Sequence, residues 1–330
     1  MRPHRFLFRS RNPLQGPSPE IEFWEYFGEK TLSREDIRWI GNGVTLHVQD
    51  MIDRPNDHVV VGEALREALA NGWLTLCYQP QVNLCDGSLH AVEALLRWSH
   101  PVLGDVSTGR SIHVAEQIGL IEEIGIWGLR EACRQMAEWR AAGRNVPAVS
   151  VNLSPTHFCD RELPATIACL LDEYGIPAHT LTLEITEGVK LDDDPMTFAT
   201  IDAIRELGVG LSMDDFGTGY SDLSRLTQVP FSELKIDRSF ISRLCEDGGA
   251  RAVVMAVNEI GRGLDIVVVA EGVETEQQRG MLERLGCRIG QGHLFGRPMK
   301  PSELEEWLVS SRQAPLMILP LEDTALYQPA

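Results

Sequence analysis

The sequence predicts an α/β fold in which a mostly parallel sheet closes into a barrel. From about residue 59 onward, strand-like apolar runs alternate with segments of helical spacing, a pattern typical of parallel sheets with helices between the strands. The strand-like runs number about eight, which favours a closed barrel over an open doubly wound sheet. In addition, polar residues stand at the ends of the later runs, about one strand–helix unit apart.

Each predicted element follows from its own local pattern. Residues 61–70 have helical spacing, and the runs 73–78 and 89–98 are strand-like on either side of Asp86-Gly87, a dipeptide typical of hairpins. The sheet is therefore expected to open with an antiparallel pair. The later strands are predicted at 148–152, 180–186, 209–213, 233–237, 265–270 and 287–290, and the later helices near 113–142 and at 162–174, 197–206, 249–263, 275–285 and 302–309.

The segments before and after the barrel differ from it in composition. Residues 11–20 are rich in proline, glycine and serine, and Asn42-Gly43 lies between apolar residues as a weak hairpin signal. We expect residues 1–58 to form a partly disordered extension, with a regulatory arm, a membrane-surface helix and a solvated tail as the alternatives. Residues 59–310 form the main domain and 311–330 a C-terminal tail.

The net charge and the cysteines indicate which partners and which cellular compartment to expect. Lys and Arg number 30 against 48 Asp and Glu, a formal net charge of −18 in 330 residues, and so acidic a surface repels DNA. No apolar run approaches the roughly 20 residues that cross a bilayer, so no transmembrane segment is expected. The seven cysteines are odd in number and include no C-x-x-C pair, which favours buried thiols and a cytoplasmic location.

Polar side chains cluster at the predicted carboxyl ends of the strands. Because those ends meet on one face of a βα barrel, residues distant in sequence converge on one site. Alternation along 181–186 places Glu184 on the face opposite the helix layer, and the same rule places Lys235 with Glu233 and Asp237. Glu93 joins them from the apolar strand 91–98. The strand-end residues are Asn152, Glu184, Asp214, Asp215, Lys235, Glu271 and Gln291.

So many carboxylates in one site require a cation, because like charges a few ångströms apart repel strongly in a partly desolvated site. Oxygen ligands without His or Cys select Mg²⁺, Mn²⁺ or Ca²⁺ over Zn²⁺. The adjacent Asp214 and Asp215 suit two ions, since each can reach one ion or both can bridge. The alternative, ordinary helix caps and solvated loop acids, explains any single residue but not the set.

Eight short motifs follow one another along the chain. They are Tyr78-Gln79-Pro80, Glu93-Ala94-Leu95-Leu96-Arg97-Trp98, Val151-Asn152-Leu153-Ser154, Leu183-Glu184-Ile185-Thr186-Glu187, Asp214-Asp215-Phe216-Gly217-Thr218-Gly219-Tyr220-Ser221, Lys235-Ile236-Asp237, Ala270-Glu271-Gly272-Val273-Glu274-Thr275 and Gln291-Gly292. In this order they resemble the EAL domain of cyclic di-GMP phosphodiesterases, over about residues 60–305. The resemblance implies a TIM-like barrel whose first strand is antiparallel.

The resemblance also implies an activity and its ligands. It implies hydrolysis of one phosphodiester bond of cyclic di-GMP to linear pGpG with two Mg²⁺ or Mn²⁺ ions. The implied ligands of one ion are Glu93, Asn152, Glu184 and Asp214, and those of the other are Asp214, Asp215 and Glu271.

Further roles come from the same resemblance. Lys235 is similar to the residue that binds the attacking water, with a salt bridge to Asp237 or Glu233 as the alternative. The resemblance leaves open whether Glu271 is the general base or a metal ligand. Gln291 is similar to a residue that places the water or the second ion. Glu93 and Asp215 count among the catalytic residues as well. The implied substrate-binding residues are Gln79, Arg97, Asp237 and Glu274.

The loop Asp214–Ser221 is implied to fold over the aspartates, with Glu187 anchoring it and coupling it to a homodimer interface. The chain departs from the family at Thr108, Ser111 and Asp222, none of them a metal ligand. A receptor that binds cyclic di-GMP without hydrolysis and signals through a regulatory protein partner remains the main alternative, followed by another two-cation barrel hydrolase.

Overall fold

Eight strands close into a barrel in the second of the two units into which the chain divides, Met1–Glu67 and Ala68–Ala330. The computed structural model describes residues 37–40, 43–46, 58–101, 103–186, 195–217, 226 and 228–311. Most of the predicted extension and of the predicted C-terminal tail lies outside these residues. The predicted boundaries at residues 58 and 310 stay predictions.

The first unit contains a short antiparallel hairpin. Strand β1 (Ile37–Ile40) pairs with β2 (Gly43–Leu46), with Ile40 opposite Gly43. The apolar residues around Asn42-Gly43 predict this hairpin, and the prediction is confirmed.

Strands and helices alternate from the end of the first unit onward. The elements are α1 (His58–Asn71), β3 (Leu74–Asn83), β4 (Leu89–His100), β5 (Gly104–Val106), α2 (Thr108–Gln117), α3 (Ile121–Ala141), β6 (Val149–Asn152), α4 (Leu163–Tyr174), β7 (Leu181–Thr186), α5 (Pro195–Glu206), β8 (Gly210–Phe216), β9 (Glu233–Ile236), α6 (Arg238–Arg243), α7 (Gly248–Leu264), β10 (Val267–Ala270), α8 (Glu276–Arg284), β11 (Ile289–Gln291) and α9 (Pro301–Ser311). Each predicted strand and helix is present. The main differences are that β3 continues to Asn83 and β8 to Phe216.

The strand order closes the sheet on itself. Around the ring the order is β3, β11, β10, β9, β8, β7, β6 and β4, and the pairing of β4 with β3 completes it. Strand β3 is antiparallel to both of its neighbours, whereas the other pairs in the ring are parallel. The predicted closed barrel with an antiparallel first strand is confirmed.

Alternation along the strands separates an apolar outer layer from a polar interior. On β7, Leu181, Leu183 and Ile185 belong to the buried apolar core, while Glu184 takes the opposite face. Tyr78 of β3 meets Trp139 of α3 edge to face, with ring centroids 4.8 Å apart. The helices therefore seal the outside of the barrel and leave its interior for polar side chains.

Two sequence expectations concern the surface and the thiols. Of the helices that the structure describes, none combines the length and the apolar character that a bilayer crossing demands. All seven cysteines are free thiols, so the absence of a disulfide framework is confirmed. The expectation of buried thiols is wrong for Cys85, Cys159 and Cys169, which are exposed, because they lie on turns and helix faces outside the core.

Candidate active site

A single buried lysine lies at the centre of the predicted site. The ammonium of Lys235, on β9, is fully buried among carboxylates from β4, β7, β8 and the end of β10. Its Nζ lies 2.6 Å from Glu271 Oε1, 2.9 Å from Glu184 Oε2, 3.2 Å from Glu93 Oε2 and 3.4 Å from Asp214 Oδ1. The structure thus brings four of the predicted site carboxylates to one ammonium. The alternative role of Lys235, a salt bridge to Asp237 or Glu233, is wrong because these four carboxylates surround its ammonium.

On one side of Lys235, amide side chains surround Glu93. Asn152 Nδ2 donates to Glu93 Oε1 over 2.8 Å, and Gln291 Nε2 donates to Glu93 Oε2 over 2.5 Å. Gln291 Nε2 also reaches Gln79 Oε1 at 3.2 Å, and Gln81 Nε2 donates to Gln291 Oε1 at 3.0 Å. We call Gln79, Gln81, Asn152 and Gln291, together with Glu93, the amide side.

A second group of residues around Lys235 consists of acids. One ligand oxygen each of Asp214, Asp215 and Glu271 lies within 4.8 Å of the other two. Glu184 joins them through the shared contact with Lys235, and its Oε1 is buried with no hydrogen-bond donor among the described residues. We call Glu184, Asp214, Asp215 and Glu271 the acid side.

A backbone irregularity brings the two adjacent aspartates together. In a regular strand Asp214 and Asp215 would point to opposite faces. Asp215 instead has a left-handed φ of +56°, its backbone N donates to Asp214 Oδ1 over 2.9 Å, and the pairing of β8 with β9 shifts register between Met213 and Phe216. A left-handed conformation is unfavourable for a residue other than glycine and is typical of functional sites.

The two sides differ in the pKa of their carboxylates. Burial raises the pKa of Glu93, but Lys235 and the donors Gln291 and Asn152 outweigh it and bring the pKa below its ordinary value. Burial raises the pKa of the acid-side residues, with added repulsion from neighbouring carboxylates: that of Glu184 and Asp214 above their ordinary values, that of Asp215 to about 6 and that of Glu271 to about 8. Burial lowers the pKa of Lys235, yet its four partners, Glu184 first, raise it well above normal.

The donor set fits hard divalent cations. The candidate ligand atoms are carboxylate and amide oxygens, which Mg²⁺ and Mn²⁺ prefer. Asn152 uses its Nδ2 for Glu93 and so keeps its Oδ1 for a ligand, and the second oxygen of Glu184 is buried without a donor. One ammonium cannot neutralise the acid side, because the pKa values of its carboxylates stay raised beside Lys235.

The predicted substrate-binding residues each make a different set of hydrogen bonds. Gln79 Nε2 donates to Gly296 O over 3.0 Å. Arg97 Nη1 donates to Leu96 O over 2.7 Å and lies 3.3 Å from the hydroxyl of Thr108. The carboxylate of Asp237 accepts from Ser239 N, so it caps α6.

Glu274 precedes α8, and its backbone N donates to Gln278 Oε1, within the capping structure formed by Thr275 and Gln278. The predicted loop anchor Glu187 and the loop residues Thr218–Ser221, together with Asp222, lie outside the described residues. Gly217, the last described residue of that loop, has φ +99°, and a Cβ there would lie 2.9 Å from the Phe240 ring.

The sequence did not indicate one interior residue, Gln81, or the partner of another, Glu233. Gln81 belongs to the amide side, and the alternation that places Gln79 inward also places Gln81 inward. Glu233 is buried and accepts from Ser212 Oγ over 2.8 Å. Its shared face with Lys235 was predicted, but not this partner, because Ser212 carries no distinctive motif.

The family model of the EAL domain matches residues 62–298. The chain belongs to the EAL domain family. The resemblance read from the eight motifs is thereby confirmed, and every residue of the amide and acid sides lies inside the matched range.

Known relatives of this EAL domain include much longer proteins. The oxygen sensor protein DosP of Escherichia coli K12 is 45% identical over 270 residues, 82% of this chain and 34% of DosP. The bifunctional diguanylate cyclase/cyclic di-GMP phosphodiesterase MucR of Pseudomonas aeruginosa is 41% identical over 263 residues, 80% of this chain and 38% of MucR. The chain thus spans about a third of the length of these curated relatives.

A solved structure gives the same architecture. The PaMucR phosphodiesterase in complex with c-di-GMP superposes on this EAL domain with a TM-score of 0.70 at 43% sequence identity, and the match covers 74% of this chain and 99% of that one. The TIM-like barrel expected from the motifs is therefore confirmed by both the strand order and a solved relative.

Proposed function

We propose that this EAL domain hydrolyses one phosphodiester bond of cyclic di-GMP to give linear pGpG. The observation that carries the proposal is the convergence of four carboxylates, from β4, β7, β8 and the end of β10, on the buried ammonium of Lys235. A carboxylate cluster with raised pKa values at the carboxyl end of a barrel is typical of a catalytic site. The name of MucR and the c-di-GMP complex of PaMucR supply the substrate class.

Two divalent cations, Mg²⁺ or Mn²⁺, complete the proposed site. The residues that would bind one ion are Glu93, Asn152, Glu184 and Asp214, and those that would bind the other are Asp214, Asp215 and Glu271. Two such cations supply positive charge to the phosphodiester and increase the acidity of the attacking water. Asp214 belongs to both sets, and the left-handed backbone at Asp215 brings its carboxylate to the same place.

Lys235 and Glu271 are the residues nearest to the proposed water chemistry. The 2.6 Å contact between them fixes the orientation of both groups. Lys235 donates hydrogen bonds in the site and offsets part of the negative charge. Glu271 has two candidate roles, metal ligand and general base. Glu271→Gln separates these roles, because Gln keeps an oxygen ligand and cannot accept the proton: recovery of turnover at saturating Mn²⁺ supports the ligand role.

The substrate is an anion, whereas the protein carries a net charge of −18. Arg97 would therefore contact a phosphate, because its guanidinium supplies local positive charge in a bidentate geometry. Gln79, Asp237 and Glu274 would contact the rest of the ligand, and Gln291 would place the attacking water or the second ion. Glu187 as loop anchor, a homodimer, a regulatory protein partner and a cytoplasmic location remain predictions.

Incubation of the purified chain with cyclic di-GMP and Mn²⁺, followed by chromatography, tests the proposal. We expect pGpG from the wild type, none after chelation, and none from Glu93→Ala. Glu123→Ala, which changes an exposed glutamate of α3, is the matched control and should retain full turnover. Tight binding with intact ligand would instead identify a receptor, and competition by unrelated phosphodiesters would indicate another two-cation hydrolase.

A further inference from the structure

Gln81 is a completely buried amide whose side chain donates to Gln291, a residue of the amide side. It lies on β3, between β4, which carries Glu93, and β11, which carries Gln291. The register places Gln81 opposite Gln291, and Gln79 opposite Glu93. Gln79 and Gln81, two residues apart on the same face of β3, thus each lie opposite one member of the amide side.

We propose that Gln81 is a positioning residue that fixes the amide orientation of Gln291 and thereby orients Glu93 for metal binding. This inference rests on the proposed function, because Glu93 is a proposed ligand of the first ion.

The hydrogen bonds define the direction of this chain of contacts. A primary amide presents a donor at one end and an acceptor at the other. Gln81 Nε2 donates to Gln291 Oε1 over 3.0 Å, so the Nε2 of Gln291 points the other way, toward Glu93 Oε2 at 2.5 Å and Gln79 Oε1 at 3.2 Å. The Gln81 donor favours this orientation of the Gln291 amide. In the reversed orientation, the Gln291 carbonyl oxygen would lie against the Glu93 carboxylate.

The donor from Gln291 matters because Glu93 is held from three directions. Asn152 Nδ2 binds its Oε1, while Gln291 Nε2 and Lys235 Nζ approach its Oε2. Hydrogen bonds from neighbouring side chains set the direction in which a ligating carboxylate presents its lone pairs. Loss of one of the three donors removes one constraint on the orientation of the Glu93 carboxylate.

The remaining atom of Gln81 favours a functional over a structural role. Its Oε1 is buried and accepts no hydrogen bond from the residues that the structure describes. An unpaired buried acceptor is unfavourable for folding, so an apolar residue of the same shape at position 81 should fold equally well. The amide at this position is therefore explained by what its Nε2 does for Gln291.

Two substitutions test the proposal. Gln81→Met keeps the shape and removes the donor, and Gln81→Glu replaces the donor by an acceptor that attracts the Nε2 of Gln291 away from Glu93. We expect the affinity for Mn²⁺, measured by calorimetry on the full chain, to fall about tenfold in Gln81→Met and further in Gln81→Glu. With cyclic di-GMP, kcat should fall at limiting Mn²⁺ and recover at saturating Mn²⁺, while KM stays unchanged.

Ser212→Ala is the matched control. It also removes one buried side-chain hydrogen bond inside the barrel, but that bond ends on Glu233 and not on Glu93, so Mn²⁺ affinity should not change.

The proposal is overturned if Gln81→Met binds Mn²⁺ with wild-type affinity. A lower thermal midpoint with unchanged Mn²⁺ affinity also overturns it, because a purely structural role gives that result. If Gln81→Glu fails to fold, Gln81→Met still decides. A wild-type chain that binds Mn²⁺ without hydrolysing cyclic di-GMP contradicts only the proposed function, because the affinities remain measurable.

Discussion

The amide side and the acid side of the barrel mouth differ in how their buried carboxylates are stabilised. Glu93 on the amide side receives hydrogen bonds from Asn152 and Gln291, and its pKa lies below the ordinary value. Glu184 and Glu271 on the acid side lie among like charges, and their pKa values are raised. The difference teaches that hydrogen-bond donors of the protein stabilise the charge on one half of the site, whereas the carboxylates of the other half repel one another and bind protons unless cations are present.

The largest expected effect follows removal of the cation that the two sides share. Lys235→Met leaves four buried carboxylates without their ammonium, and we expect the free energy of unfolding in chelator to fall by about 3–5 kcal/mol. Added Mn²⁺ should recover part of this loss, because cations replace the missing charge. Urea denaturation with and without Mn²⁺ measures the loss of unfolding free energy and its recovery.

Lys300→Met, a substitution of an exposed lysine outside the barrel mouth, is the control for that experiment and should change stability by less than about 0.5 kcal/mol. Turnover of cyclic di-GMP should fall about a hundredfold or more in Lys235→Met and stay unchanged in Lys300→Met. Equal stability of the two variants would contradict the central role of Lys235.

Replacing one carboxylate on each side by an uncharged amide compares the two sides directly. In chelator above neutral pH, Glu184→Gln should raise the free energy of unfolding, because it removes a carboxylate whose raised pKa opposes folding. Glu93→Gln should lower the free energy of unfolding, because an ionised and well-paired carboxylate is lost. Both variants should lose Mn²⁺ affinity. Effects of the same sign on stability would remove the distinction between the sides.

The acid side also predicts how pH and metal act together. Between pH 6 and pH 8, the range set by the pKa values of Asp215 and Glu271, the metal-free folded protein binds more protons than the unfolded chain, so its stability falls as pH rises. Cations must displace these protons, so the rise in thermal midpoint caused by Mg²⁺ should grow with pH. Thermal melts measure it, and Glu271→Gln should flatten the trend.

The smallest effect is expected from the buried acid that belongs to neither side. Burial raises the pKa of Glu233, which accepts from Ser212 rather than from an amide-side residue. Glu233→Gln keeps that acceptor, so turnover should change less than about twofold and stability by a few tenths of a kcal/mol. A large loss of turnover would extend the catalytic centre to the next layer of the barrel.

Most of the fold was predictable because periodicity is local. The alternation along 181–186 alone places Glu184 opposite the core residues Leu181, Leu183 and Ile185, and the Asp86-Gly87 turn alone indicates the antiparallel opening of the barrel. The same rule identified Lys235 and Glu93 as inward residues. It also places Gln81, two residues after Gln79, on the inward face, but no motif at position 81 indicates a role.

The sequence by itself determined the order of strands and helices and the inward positions of the acids, since both depend on the spacing of neighbouring residues. Only the tertiary structure decided which four carboxylates share Lys235, that Gln81 faces Gln291, and that a left-handed Asp215 joins Asp214. These features depend on register across strands that lie far apart in sequence, and on a backbone conformation that costs energy locally. No local pattern encodes either, because barrel closure sets the register and the surrounding fold stabilises the strained residue.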